Sequence, residues 1–95
     1  MHIITKKRLE EFAKIHPDCR NALETWYRIA KNNNFGSFNE LRNYFPDADK
    51  VGKLTVFNIG GNKARLIASV HFNRRKLYIR QVLTHKEYDK NKWKE

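Results

Sequence analysis

The sequence has a single cysteine, Cys19. It cannot form an internal disulfide, so a cytoplasmic setting is expected. One cysteine and four scattered histidines do not make a structural zinc site. Glycine and proline are scarce, at four and two residues. There is no phosphate-cradling loop and no G-x-G-x-x-G. Gly60-Gly61-Asn62 is too short to hold a dinucleotide and reads as a hairpin turn. No apolar run approaches the ~20 residues of a membrane span. The opening, Met1 to Lys7, has too short an apolar part, placed before the basic one, for a signal peptide. Carboxylates number only 10 and fall mostly in helical segments, which discounts metal-dependent phosphoryl chemistry. No metal, cofactor or membrane is expected.

Basic residues are abundant. The 95 residues hold 20 Lys+Arg, for a formal charge of +10. The excess is uneven, with a net of +2 over residues 1–48 and +8 over 49–95. Surplus lysine can serve solubility alone, but this asymmetry favours a polyanion-binding face built from the C-terminal half. The length suits one domain, 1–95. A composition 40% hydrophobic and 13% aromatic suits a small packed core.

The periodicity predicts helices first. His2–Thr5 reads as a short strand, followed by a helix from about Lys6 with Thr5 as N-cap and Leu9, Phe12 and Ala13 on one face. Pro17 interrupts it. A stronger stripe, Cys19, Ala22, Leu23, Trp26, Ile29 and Ala30, runs through a helix over 18–32; on that stripe Cys19 is core rather than nucleophile. Ser37 and Glu40 have capping-box spacing and start a third helix, with Leu41, Tyr44 and Phe45 as its buried face and Pro46 as its end. Residues 46–53 read as a polar loop. Strands follow at 54–59, 64–72 and 77–84, separated by turns at 60–63 and 73–76. A polar tail closes the chain, with room for one helical turn. The expected fold is α+β, with two or three helices packed on one face of a small antiparallel sheet and the other face open to a partner.

If both hairpins have four-residue loops, Asn58, Arg65 and Thr84 line up across three strands, with His85 next in the chain. The three strands contain no Asp or Glu. An unpaired guanidinium on an open sheet face is what a phosphate site uses, although an arginine paired with a helix carboxylate is the plainer alternative. The remaining palette of Arg, Lys, His and Tyr suits metal-free RNA cleavage. In that reaction the 2′-OH attacks phosphorus, a base takes its proton, an acid protonates the leaving 5′-oxygen and cations hold the developing charge. His85, Lys86 and Tyr88 fall within four residues, and His titrates near neutrality. A tail His and Tyr can equally finish packing at a strand end.

The stretch Val56-Phe57-Asn58-Ile59-Gly60-Gly61-Asn62-Lys63-Ala64-Arg65-Leu66, together with Thr84-His85-Lys86-Glu87-Tyr88-Asp89, resembles the HigB family of bacterial toxins within the RelE/ParE-like group. His2–Thr5 and Phe45-Pro46 are similar too. The resemblance implies a RelE-like α+β fold and a ribosome-dependent mRNA endoribonuclease. It implies a HigA-type helix-turn-helix antitoxin, with operator DNA contacted only through that antitoxin. It also implies a phosphate-contacting Arg65 and catalytic groups among His85, Lys86 and Tyr88. Asn58, Asn62 and Lys63 match the motif, and Arg80 with the turn cations Arg74, Arg75 and Lys76 completes an RNA-binding set. Glu87 and Asp89 bring unexpected negative charge beside that segment. Two other readings compete: a non-catalytic inhibitor of a protein such as gyrase, as in ParE-type toxins, and a plain RNA-binding module.

Overall fold

The computed structural model describes residues 1–90 and 92–94. It contains β1 (His2–Ile4), α1 (Lys7–Ile15), α2 (Arg20–Asn32), α3 (Phe38–Tyr44), β2 (Asp49–Val51), β3 (Leu54–Ile59), β4 (Ala64–His71), β5 (Lys76–Thr84) and α4 (His85–Asp89), with 3-10 turns at Pro17–Cys19 and Lys92–Lys94. The strands form one sheet in the order β1-β5-β4-β3-β2. β1 runs parallel to β5, and every other pair is antiparallel. The α+β architecture expected from the periodicity is the one observed.

The main core lies between the first three helices and one sheet face. Leu9, Phe12 and Ala13 of α1, Leu23, Trp26 and Ala30 of α2, and Leu41 of α3 meet Phe57, Ile59, Leu66, Ala68, Leu77 and Ile79. Rings interlock edge to face, with Phe57 5.3 Å from Trp26 and 5.0 Å from Phe45, a geometry aromatic quadrupoles favour. Cys19 is buried in this core, and burial pushes its thiol up, so it is packing material.

Several local expectations change. Thr5 does not cap α1; the N-cap is Lys6, with no side-chain bond, and Thr5 sits at φ 73°. Pro17 imposes a 3-10 turn, so α2 starts at Arg20 rather than at 18. Tyr44 is half exposed, and Leu41 alone of α3 is buried. Ser37 Oγ accepts from Glu40 N, but the Glu40 carboxylate reaches one residue further back, to Gly36 N. The loop at 46–53 contains a strand, β2, hairpinned to β3 through Gly52-Lys53 with Gly52 at φ +61°. That is the positive φ a two-residue hairpin loop demands of its first position.

The second face of the sheet is not fully open. Trp93 packs on Val56 and Ile67, with Val51, Leu54, Leu83 and Tyr88 around them. The C-terminal segment therefore covers this face over β3 and the middle of β4. Ser69 and His71 of β4 and Tyr78 of β5, next to the β4–β5 turn, lie outside that cluster.

The β4–β5 register also differs. β4 ends at His71, which pairs with Lys76, so the four-residue loop is 72–75 rather than 73–76. A bulge follows: Ala68 pairs with Ile79 but Ile67 with Gln81, leaving Arg80 as the extra residue. The bulge reverses the alternation of β5. Leu77, Ile79 and Val82 face the core; Tyr78, Gln81 and Leu83 share the face of Arg65. Arg65 consequently opposes Leu83, not Thr84, while its pairing with Asn58 on β3 is as expected.

Candidate active site

Arg65 stands on the central strand and is only 8% exposed. Its guanidinium is held by neutral acceptors. Nη1 donates to the carbonyls of Gly61 (3.3 Å) and Ala64 (3.0 Å), and Nη2 donates to Asn62 Oδ1 (3.2 Å). The glycines Gly60 and Gly61 at φ +59° and +70° turn the β3–β4 loop tightly enough to bring those acceptors back over the strand. No carboxylate lies within ion-pair distance of Arg65 among the described residues. The site therefore holds a fixed, nearly buried cation whose charge is not neutralised internally. Three of its N–H groups are used, so two of the five on a guanidinium remain to bind an anion.

Tyr88 meets that guanidinium. Arg65 Cζ lies 5.6 Å from the Tyr88 ring centre, within cation–π range. Trp93 stacks on Tyr88 at 4.9 Å and 15°, and its indole Nε1 donates to Tyr88 O (2.9 Å). These contacts occupy the ring, leaving the phenol hydroxyl as the group free for chemistry.

The motif Thr84-His85-Lys86-Glu87-Tyr88-Asp89 has a local explanation. Thr84 caps α4: its hydroxyl accepts from Glu87 N (3.1 Å) while Glu87 Oε1 accepts from Thr84 N (2.9 Å). This is a complete capping box. The backbone N–H of Thr84, more than any other contact, holds the Glu87 carboxyl below its ordinary value. His85 and Asp89 are four apart, and their side chains approach to 3.5 Å at Nε2. His85 and Tyr88, three apart, share a helix face, whereas Lys86 points away from it. Glu87 is thus a structural carboxylate, and Asp89 is the one beside His85.

A groove of about 460 Å³ opens over Arg65 and Tyr88, lined also by Asn58, Arg42, Asp47 and Asp49. The candidate residues divide by location. Arg65, Tyr88, Asn58 and Asn62 are together at or under this groove. His85 and Lys86 are exposed on α4 beside it. Lys63 turns to Asp18 before α2, at 4.0 Å, and does not line the groove. Arg80 is on the bulge, and Arg74, Arg75 and Lys76 are at the β4–β5 turn, about 20 Å along the strand from Arg65. Among the described residues there is no cluster of metal-ligating side chains.

Sequence reasoning overlooked Trp93, the Thr84–Glu87 box and the acidic wall of Asp47 and Asp49. The box was legible, since T-x-x-E repeats the spacing read at Ser37. Trp93 was legible too, because a large ring in an otherwise polar tail must bury against something. Asp47 and Asp49 depended on the unforeseen β2.

The chain is similar to known proteins over most of its length. The model of the HigB toxin family, the RelE-like toxic component of a toxin–antitoxin system, matches residues 19–91. The mRNA interferase HigB of Escherichia coli O6:H1 is 37% identical over 93 residues, covering 95% of this chain and 90% of that protein. The mRNA interferase toxin HigB of Escherichia coli K12 is 39% identical over 92 residues, covering 94% and 88%, and the mRNA interferase HigB of Shigella flexneri gives the same figures.

Proposed function

The chain belongs to the HigB family, RelE-like toxic components of toxin–antitoxin systems, and on that premise we propose that it is an mRNA interferase, a toxin that cleaves messenger RNA and is held in check by an antitoxin. Residues 1–95 act as one RelE-like toxin domain in the cytoplasm. The substrate is mRNA on the translating ribosome, and the antitoxin is a HigA-type helix-turn-helix protein through which operator DNA is reached. No helix of the described residues is long and apolar enough to cross a membrane.

The observation that carries this reading is the pre-positioned guanidinium of Arg65, in no ion pair among the described residues, beside the Tyr88 ring. A scissile phosphodiester carries one negative charge, and more gathers on its non-bridging oxygens as phosphorus becomes five-coordinate. A cation already fixed by Gly61, Ala64 and Asn62 does not have to reorganise to meet it. The 2′-oxygen forms its bond to phosphorus as the bond to the 5′-oxygen breaks, yielding a cyclic 2′,3′-phosphate and a free 5′-hydroxyl. One proton leaves the 2′-OH and one arrives at the 5′-oxygen. His85 and Tyr88 supply those two positions from one face of α4, with Asp89 orienting the imidazole and Lys86 adding positive charge. Asn58 and Asn62 position the strand. The basic residues Lys63, Arg74, Arg75, Lys76 and Arg80 supply longer-range attraction to RNA.

Arg65→Met tests this directly, because methionine keeps the unbranched stem and removes the charge. The expected outcome is a cooperatively folded protein that neither cleaves mRNA nor arrests growth. A folded Arg65→Met protein with undiminished cleavage removes Arg65 from the chemistry.

A further inference from the structure

The part of the second sheet face outside the Trp93 cluster contains a different constellation. A cavity of about 360 Å³ lies between the first turn of α1 and strands β4 and β5, lined by Thr5, Arg8, Ser69, His71, Tyr78 and Arg80. Ser69 Oγ and His71 Nε2 are 3.3 Å apart. The His71 ring meets Tyr78 edge to face at 5.1 Å and 82°. Two arginines, Arg8 and Arg80, line the cavity, and among the described residues no carboxylate does. None of these side chains takes part in the Arg65 groove.

Backbone irregularities converge on this cavity. Thr5 holds φ 73°, a genuine outlier for a β-branched residue. The unpaired residue of the β4–β5 bulge is Arg80 itself, and bulges characteristically re-aim a side chain. The adjoining turn places Arg75 at φ 55°, where glycine would relieve the strain. Positive-φ conformations at non-glycine residues are costly, and such costs cluster at ligand sites. Capping does not explain Thr5, since its side chain makes no cap bond to α1. Core packing does not explain Arg80, which is exposed.

We propose that this cavity is a second RNA-phosphate site, in which Arg8 and Arg80 clamp one phosphodiester and Ser69, His71 and Tyr78 offer hydrogen-bond donors to it. The inference deepens the RNA-cleaving reading and rests on it for the choice of polyanion. Two cations with no opposing carboxylate match a singly charged phosphodiester. Along β4, Ser69 and His71 are four and six residues from Arg65, so the two sites are about 13–20 Å apart on one sheet face. One RNA molecule can span that gap. The phosphate belongs either to a single strand such as the message or to structured ribosomal RNA.

The test is binding without cleavage, using Arg8→Gln, since Arg8 is exposed and its loss leaves the core intact. Lys14→Gln, removing the same charge from α1 outside the cavity, is the control. The probes are a fluorescent single-stranded 2′-O-methyl RNA, which offers no 2′-OH for attack, and vacant ribosomes in a sedimentation assay. Arg8→Gln should weaken binding on the order of tenfold, and for the single strand it should lower the salt-dependence slope by about 0.7; Lys14→Gln should do neither. Loss for the single strand alone assigns the phosphate to a single strand, loss for ribosomes alone assigns it to ribosomal RNA, and loss for both shows a phosphate site that accepts either. Unchanged binding to both probes overturns the proposal, and so does an equal loss in Lys14→Gln. Neither readout requires cleavage, so failure of the nuclease reading is scored separately by intact mRNA.

Discussion

Helix α4 has five residues and none of them is buried, so it is too short to persist alone. Its order depends on the Thr84–Glu87 box and on Tyr88 docking between Arg65 and Trp93. Thr84→Ala removes the hydroxyl that accepts from Glu87 N at 3.1 Å. Loss of an N-cap acceptor costs about 1 kcal/mol, which changes the ratio of docked to undocked segment about fivefold. The amide of Lys90, bonded to Glu87 O and Tyr88 O, reports that ratio. Its hydrogen exchange should quicken about fivefold while core amides in β4 are unaffected. Thr84→Ser retains the acceptor and should restore protection, and mRNA cleavage should fall and recover in step. Unchanged Lys90 protection in Thr84→Ala, or a Thr84→Ser protein as deficient as Thr84→Ala, refutes the view that the box holds α4 in place.

Arg65→Lys keeps the charge but cannot satisfy Gly61, Ala64 and Asn62 together; cleavage should drop on the order of a hundredfold, read as a single-turnover rate. Trp93→Ala strips the cover from Val56 and Ile67 and should cost about 3 kcal/mol in urea unfolding; a change under about 0.5 kcal/mol would mean that the C-terminal segment is not packed on the sheet. Acidification should loosen α4 before the domain unfolds. Because the folded Glu87 carboxyl lies below its ordinary 4.5, its contribution is complete above that pH and is lost as the pH falls through the lower folded value. Tryptophan fluorescence should show this step on the acid side of the ordinary carboxylate value, and Glu87→Gln should abolish it.

Most of the helical layer was legible because apolar stripes at 3.6-residue spacing are strong signals; Leu9, Phe12, Leu23, Trp26, Ala30 and Leu41 all reach the core. The Asn58–Arg65 pairing was legible because the Gly60-Gly61 turn fixes its own register. The pairing of Arg65 across β4–β5 was not, because nothing in the run Leu77 to Thr84 announces a bulge at Arg80, and a single extra residue exchanges the two faces of a strand. β2 was hidden by its brevity and by Asp49 and Lys50, which are typical of a loop. Of the site, Arg65 and the Tyr88 segment could be named from residue chemistry, while the neutral cradle of Gly61, Ala64 and Asn62 depends on the third dimension. Periodicity also gives no warning that a polar tail folds back over part of the open face.

The most direct measurement is primer extension on a defined mRNA in a purified translation system, with and without the protein and with and without ribosomes. A new 5′ end within the codon at the ribosomal A site is expected, dependent on ribosomes and absent for Arg65→Met. Intact mRNA in the presence of protein that still arrests growth would contradict it, and would move the target from RNA to a protein.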